Sequence, residues 1–239
     1  MGIIIEGHRG WRSAYPENTL PSFEAAIELG VDGFEFDIRV SADGALVISH
    51  DDELYRCSGV HKFISQMTFE EIRQVDVGSY LHKDHPPAFV PTLEEVLQLV
   101  VAKNPNLHLG VEFKVYTEDC VDRSIALLKQ YGLFENCWFY CFNARVIKYI
   151  KQTYGGRVMG YPDFQMKEFQ PDSYSYYDGI GISMKVMHSE VFPIFKAKNL
   201  PMFFFCANDE ESVRESIENG AYLITADDPV PLMKVLGKK

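Results

Sequence analysis

Strand-like and helix-like runs alternate along almost the whole chain, and this alternation restricts its fold more than any other feature. Short β-branched or aromatic runs fall at 3–7 (IIIEG), 33–38 (GFEFDI), 107–113 (LHLGVEF), 137–142 (CWFYCF), 157–161 (RVMGY), 179–183 (GIGIS), 202–206 (MFFFC) and 222–225 (YLIT). Between most of them lie amphipathic stretches such as TLEEVLQLVVAK, CVDRSIALLKQYG, ARVIKYIKQTYG and DEESVRESIENG, several ending at a glycine as helix C-termini do. Repeated strand–helix–strand units imply parallel strands joined by right-handed crossovers. Eight of them predict an α/β fold of the closed (β/α)8 TIM-barrel type. A doubly wound open sheet is the alternative, since periodicity does not prove closure. At 239 residues and 46 % hydrophobic, the chain has material for one barrel core, and 1–239 is read as a single domain.

Two stretches interrupt the alternation. In GFEFDIRVSADGALVISHD, Asp43-Gly44 is flanked by alternating apolar residues, a strong hairpin signal. Residues 45–49 therefore run back antiparallel to 36–41 as an extension of the second strand. With Asp43-Gly44 as a two-residue loop, Asp37 lies directly opposite His50, with Cβ atoms roughly 5 Å apart; a bulge would shift this register by one. Residues 51–91 then carry three histidines, Pro86-Pro87 and one short helical signal, TFEEIRQV. This is too long for an ordinary βα loop and is read as a small inserted cap over the barrel mouth.

Active sites of such barrels are built at the C-terminal ends of the strands. Here those ends deliver His8 and Arg9 from the first strand, and Glu35 and Asp37 from the second. The returning arm brings His50, and the third barrel strand brings Glu112 and Lys114. Glu35 and Asp37 share one face of their strand, as do Glu112 and Lys114. Three carboxylates aimed at one mouth repel, each pair by about 4 kcal/mol at ~4 Å and an effective dielectric near 20. A cation among them relieves this, and hard oxygen donors suit Mg²⁺ or Ca²⁺. The bland reading is a set of structural ion pairs linking Glu35 or Glu112 to Arg9 or Lys114. His8 and His50, both expected beside the carboxylates, suit division of acid and base work. His61, His82, His85, His108 and His188 are read as structural. Arg9 and Lys114 are donors suited to a phosphate. The combination points to phosphoryl-ester cleavage.

These residues sit within a series of motifs: HRG at 8–10, PENT at 16–19, EFD at 35–37, SADGALVISHD at 41–51, VPTLEEVL at 90–97, EFK at 112–114, and NDEESVRESIENGAYLITADDP at 208–229. In that order and spacing the chain resembles the glycerophosphodiester phosphodiesterase family over nearly its whole length. The resemblance implies a catalytic (β/α)8 barrel with a small insertion after the hairpin. It implies one divalent cation, Mg²⁺ or Ca²⁺, held by Glu35, Asp37 and Glu112, with His8 and His50 as the acid–base pair. Arg9 and Lys114 would hold the substrate phosphate, while Glu17 and Asn18 would support the site by bracing the metal shell or capping the following helix. It further implies attack by the glycerol 2-hydroxyl through a cyclic phosphate. Two stretches depart from the family pattern. Phe204-Phe205-Cys206-Ala207-Asn208 lacks a tryptophan before the asparagine, and the last strand reads Thr225-Ala226-Asp227 in place of Thr-Asp. Both are expected near the pocket for the substrate alcohol, out of contact with the metal–histidine core.

The expected activity is metal-dependent hydrolysis of glycerophosphodiesters to sn-glycerol 3-phosphate and an alcohol. The alternatives are a related barrel phospholipase acting on intact phospholipid and a non-catalytic phosphate-ester binding module. A net charge of −11 argues against nucleic acid, which needs a basic footprint. No run approaches the ~18 apolar residues of a membrane span, and no basic amphipathic helix favours stable membrane association. The N-terminus lacks signal-peptide character. It begins Met-Gly, but Glu6 stands where a myristoylation signal has Ser or Thr. The five cysteines form no CxxC pair, and Cys137 and Cys141 are read as core thiols. A reducing, cytoplasmic setting and a small-molecule substrate are expected.

Overall fold

The computed structural model describes residues 2–238. Nine strands form one sheet: β1 Ile4–Gly7, β2 Gly33–Val40, β3 Leu46–Ile48, β4 His108–Phe113, β5 Cys137–Tyr140, β6 Arg157–Gly160, β7 Gly179–Ser183, β8 Met202–Phe205 and β9 Ala221–Ala226. Eight of them pair in parallel in the order β1-β9-β8-β7-β6-β5-β4-β2, and β1 pairs with β2 to close the barrel. Closure is what sequence periodicity left open.

The strand sequences read directly as two faces. Phe34, Phe36, Ile38, Leu109, Val111, Phe113 and Phe139 point outward to the surrounding helices and are fully buried there. The alternate positions point inward, where Trp138, Tyr140, Met159, Tyr161, Phe203 and Leu223 fill the barrel. Glu6, fully buried on this inner face, accepts from Thr225 Oγ1 (2.6 Å) and Tyr140 OH (2.9 Å), and His108 Nε2 lies 2.9 Å from it. His108 is thereby committed to the barrel floor. A Cβ at Gly110 would lie 2.4 Å from Glu6 Oε1 and 2.6 Å from the Tyr140 ring, so a side chain there has no room.

The helices start where capping residues place them. Thr92 and Glu95 form a reciprocal capping box, and Thr117, Asn143 and Asp209 accept from backbone N–H groups of their first turns. For Leu20–Leu29 the cap is Thr19, whose side chain accepts from Ser22 N. Capping therefore does not fall to Glu17 or Asn18, and both side chains are free to work in the site.

The hairpin register differs from the two-residue reading. Ile38 pairs with Ile48 and Val40 with Leu46, which puts Ser49, whose N–H donates to Asp37 O, opposite Asp37. The loop is Ala42-Asp43-Gly44: Gly44 adopts φ +87°, and its N–H donates to Ser41 O. This is the bulged three-residue connection that a left-handed glycine permits. His50 consequently lies beyond the paired segment. It is placed by two bonds from the Arg39 guanidinium to its carbonyl, at 2.9 and 2.7 Å.

Residues 51–91 contain more helix than the sequence signalled. A turn at Tyr55–Ser58 precedes the expected one at Phe69–Ile72. Leu54, Ile64, Met67, Ile72, Val75, Val77 and Val90 make a small core of their own against Val47 of β3.

Candidate active site

At the end of β1 the backbone turns sharply. Arg9 and Gly10 both take left-handed conformations, φ 54° and 84°. A Cβ at Gly10 would lie 2.4 Å from Ser22 Oγ, so glycine is required on both counts. For Arg9 the conformation is strained and is held by its surroundings. Its N–H donates to Glu35 Oε2 (3.0 Å), and its carbonyl accepts from Asn18 N (3.1 Å) and Ser22 Oγ (3.0 Å).

Glu35, Asp37 and Glu112 converge from β2 and β4, where Asp37 pairs in register with Glu112. All three are buried, and each offers an oxygen within 4.8 Å of the others'. Lys114 Nζ bonds Glu112 and lies 3.1 Å from Asp37 Oδ1, an ion contact without hydrogen-bond alignment. Arg9 Nε lies 3.3 Å from Asp37 Oδ2, which also accepts from Asn18 Nδ2 at 2.7 Å. Burial pushes the Asp37 carboxyl up, but Lys114 and Arg9 more than offset it and hold Asp37 well below the usual range. Glu35 goes the other way. Burial, then Asp37 and Glu112, push it well above an ordinary glutamate, and its Oε1 has no hydrogen-bond partner among the described residues. Burial also raises Glu112. Two protein cations thus do not neutralise the group, and orphaned hard oxygens remain. A divalent cation of the Mg²⁺ or Ca²⁺ kind fits this donor set.

The two imidazoles are tethered alike. His8 Nδ1 lies 2.6 Å from Asp227 Oδ1, and His50 Nδ1 lies 2.7 Å from Asp51 Oδ1. A carboxylate at Nδ1 selects the tautomer that leaves Nε2 for other partners; His8 Nε2 is 3.9 Å from Glu35. Burial lowers both imidazoles below their ordinary value, against the opposing pull of Asp227 on His8 and Asp37 on His50.

Glu17 joins the two halves. It accepts from Arg9 Nη1 (2.7 Å) and from both terminal nitrogens of Arg56 (2.7 Å each), and Arg12 Nη2 lies 3.1 Å away as an ion contact. Arg56 also bonds Asp51, and Arg12 Nη1 lies 3.4 Å from Asp227 Oδ1. An unbroken chain of charges therefore runs from His8 through Asp227, Arg12, Glu17, Arg56 and Asp51 to His50. Burial raises the Glu17 carboxyl, but the guanidiniums of Arg56, Arg9 and Arg12 outweigh it and hold it down at about 2, against an ordinary 4.5. That depression stabilises the fold above pH 4.5 and is lost as pH falls toward about 2. Glu17→Gln, which leaves the guanidiniums facing one another, is expected to cost roughly 3–5 kcal/mol at neutral pH. It should also flatten the acid limb of stability. Denaturant unfolding at several pH values checks this, and equal midpoints for the two proteins at pH 7 would refute it.

His8, Arg9, Glu35, His50, Glu112 and Lys114 line one cavity of about 170 Å³. Its far wall is aromatic: Phe142 stacks on Tyr161 at 3.6 Å, and Phe205 meets Tyr161 edge-on at 5.6 Å. A larger open cleft of about 610 Å³ lies around the strands' starting ends, lined by Ile4, Asp32, His108, Trp138 and others, away from the carboxylate group. All seven strand-end residues singled out from the sequence come together, with Glu17 and Asn18 bracing them. The expectation that both departing stretches avoid the metal–histidine core is wrong: Asp227 binds His8, and Cys206 Sγ lies 3.4 Å from the same nitrogen. Sequence reasoning also passed over Asp51, Arg56 and Arg12. Asp51 beside His50 was the available signal. Arg56 carried none, because its partner Glu17 lies 39 residues away.

A closed parallel barrel with carboxylates, imidazoles and cations gathered at its strand ends is an enzyme architecture. Residues 8–230 match the model of the glycerophosphoryl diester phosphodiesterase family, and the chain belongs to that family. It is similar to a glycerophosphodiester phosphodiesterase of Caldanaerobacter subterraneus subsp. tengcongensis, 25 % identical over 246 positions, covering 100 % of this chain and 99 % of that one. Two solved structures share the fold. A phosphodiesterase of Oleispira antarctica, in complex with its product sn-glycerol-3-phosphate, aligns with a TM-score of 0.86 at 24 % identity, covering 98 % and 97 % of the two chains. A glycerophosphodiester phosphodiesterase of Thermotoga maritima aligns with a TM-score of 0.78 at 24 % identity, covering 98 % and 99 %.

Proposed function

We propose that this protein hydrolyses glycerophosphodiesters to sn-glycerol 3-phosphate and an alcohol, using a divalent cation and the His8–His50 pair. The observation that carries the reading is the matched tethering of two imidazoles around one small cavity lined by Glu35 and Glu112, with Asp37 buried directly beside them. Glu35, Asp37 and Glu112 would hold the cation, which supplies Lewis-acid polarisation of the phosphate when bound. Lys114, and the part of Arg9 not engaged by Glu17, offset the substrate's negative charge. One imidazole takes the proton of the glycerol 2-hydroxyl as that oxygen bonds to phosphorus. The other gives a proton to the alcohol oxygen as its P–O bond breaks. With the roles reversed, a water opens the resulting cyclic phosphate. A tethered nucleophile gains up to ~7–11 kcal/mol over an external one, which favours this route.

Residues 51–91 serve as a cap within the single catalytic domain, contributing Arg56 to the charge chain. A cavity of about 170 Å³, below the roughly 300–1,000 Å³ of drug-sized ligand sites, favours a small soluble diester over intact phospholipid. No helix among the described residues is long and apolar enough to cross a membrane.

The test is release of sn-glycerol 3-phosphate from a panel of glycerophosphodiesters, with and without chelator. Glycerophosphocholine should turn over and its 2-deoxy analogue should bind but react very slowly. Bis(p-nitrophenyl) phosphate should be poor despite its better leaving group. Equal kcat for glycerophosphocholine and the 2-deoxy analogue would sink the cyclic route and leave direct attack by water.

A further inference from the structure

A second set of metal-competent donors lies beside the carboxylates and differs from them chemically. Cys206 Sγ is 3.4 Å and Asp227 Oδ1 2.6 Å from His8 Nδ1, and the three residues offer donor atoms all within 4.8 Å of one another. They arrive from three separate places, the ends of β1, β8 and β9. We propose that His8, Cys206 and Asp227 form a zinc-binding site, and that zinc held there withdraws the His8 imidazole from the reaction.

The donor types separate this site from its neighbour. Glu35, Asp37 and Glu112 offer only hard oxygens, whereas a sulfur, an imidazole nitrogen and a carboxylate are the ordinary ligands of zinc. Two donors at Zn–S ~2.3 Å and Zn–N ~2.0 Å on a tetrahedral ion stand ~3.5 Å apart, close to the 3.4 Å between Cys206 and His8. Asp227 has only to rotate back by less than about an ångström, exchanging its bond to His8 for one to the ion. A thiolate and a carboxylate cancel the ion's two positive charges, so the loaded site is neutral. Because Asp227 already carries its charge beside Arg12 in the empty site, loading adds one positive charge there, and Arg12, partly exposed, retains Glu17 as its partner. Burial pushes the Cys206 thiol up, so its proton leaves as the metal enters. The side chains of His8 and Asp227 are 17 % and 29 % exposed, leaving a path for the ion.

Binding stands on this geometry, while the inhibition also rests on the acid–base reading of His8. The probe is Co²⁺, followed by Zn²⁺, titrated into the full-length protein saturated with Mg²⁺. Wild type should develop a thiolate-to-cobalt charge-transfer band at one equivalent, bleached by zinc. Cys57→Ser, which alters the other thiol that is not fully buried, should keep the band; Cys206→Ser and Cys206→Ala should lack it while retaining enough turnover in Mg²⁺ for their zinc inhibition to be measured. The zinc concentration for half inhibition should rise about ten- to a hundred-fold in the Cys206 variants, at least the loss seen when an outer-shell partner is removed. No band in wild type, or a band unchanged in both Cys206 variants, overturns the site. Equal zinc sensitivity in wild type and both Cys206 variants shows that zinc inhibits by entering the carboxylate group, and overturns the proposed mode of inhibition. A Cys206-dependent band with undiminished turnover upholds the zinc site and instead removes His8 from catalysis.

Discussion

Glu35→Gln should abolish most turnover and at the same time leave the cation-free protein as stable as wild type or more so. The two effects have one cause. Glu35 is buried beside Asp37 and Glu112, and its carboxyl is pushed well above 4.5. A group whose folded pKa is raised favours the fold at low pH and loses that contribution as pH rises through the folded value. Without a cation, a charge on Glu35 therefore works against folding, and the isosteric amide removes that charge while keeping the shape. With a cation the same charge is what binds it. Asp37→Asn should lose turnover too but should destabilise, because Lys114 and Arg9 then face no anion between them. Glu112→Gln should weaken cation affinity with a smaller cost, Lys114 retaining Asp37. Thermal melts in chelator, set beside activity in Mg²⁺ or Ca²⁺, separate these cases. Full activity in chelator, or a large drop in cation-free stability for Glu35→Gln, would remove the cation from this group.

His8→Ala and His50→Ala should each lower kcat by roughly 10²–10⁴, the range for loss of a general acid or base. Because each ring is aimed by a carboxylate on Nδ1, Asp227→Asn and Asp51→Asn should lower kcat with little change in KM. Asp51→Asn also removes one partner of Arg56, which keeps its two bonds to Glu17, so little change in stability is expected. Arg9→Lys differs again. It keeps a charge but loses the planar fork that reaches Glu17 and Asp37 together, so substrate binding and stability should both suffer. A His8 or His50 variant with near wild-type kcat would remove that residue from the acid–base pair.

What could be read from the sequence follows how local the cause is. Strand faces were legible because alternation is a property of neighbours: Glu35 and Asp37 must share a face opposite Phe34 and Phe36 whatever the rest of the chain does. Family motifs extended this to Asn18, whose amide does brace Asp37. The hairpin was legible as a hairpin but not in register. A left-handed Gly44 and the Ser41 bonds set a three-residue loop, and one residue of slip exchanges Ser49 for His50 opposite Asp37.

By itself the sequence determined the strand–helix alternation, the inward row of acids and the presence of two histidines at strand ends, since these depend on spacings of a few residues. Only the tertiary structure decided that the sheet closes, because the β1–β9 pairing joins the first and last strands of the chain. Only the tertiary structure, too, brought Asp227 and Cys206 to His8 and Arg56 to Glu17, across 219, 198 and 39 residues. Such contacts leave no periodic trace: each is an ion or hydrogen-bond pair whose partners meet only once the chain has folded and brought its distant strand ends and loops together.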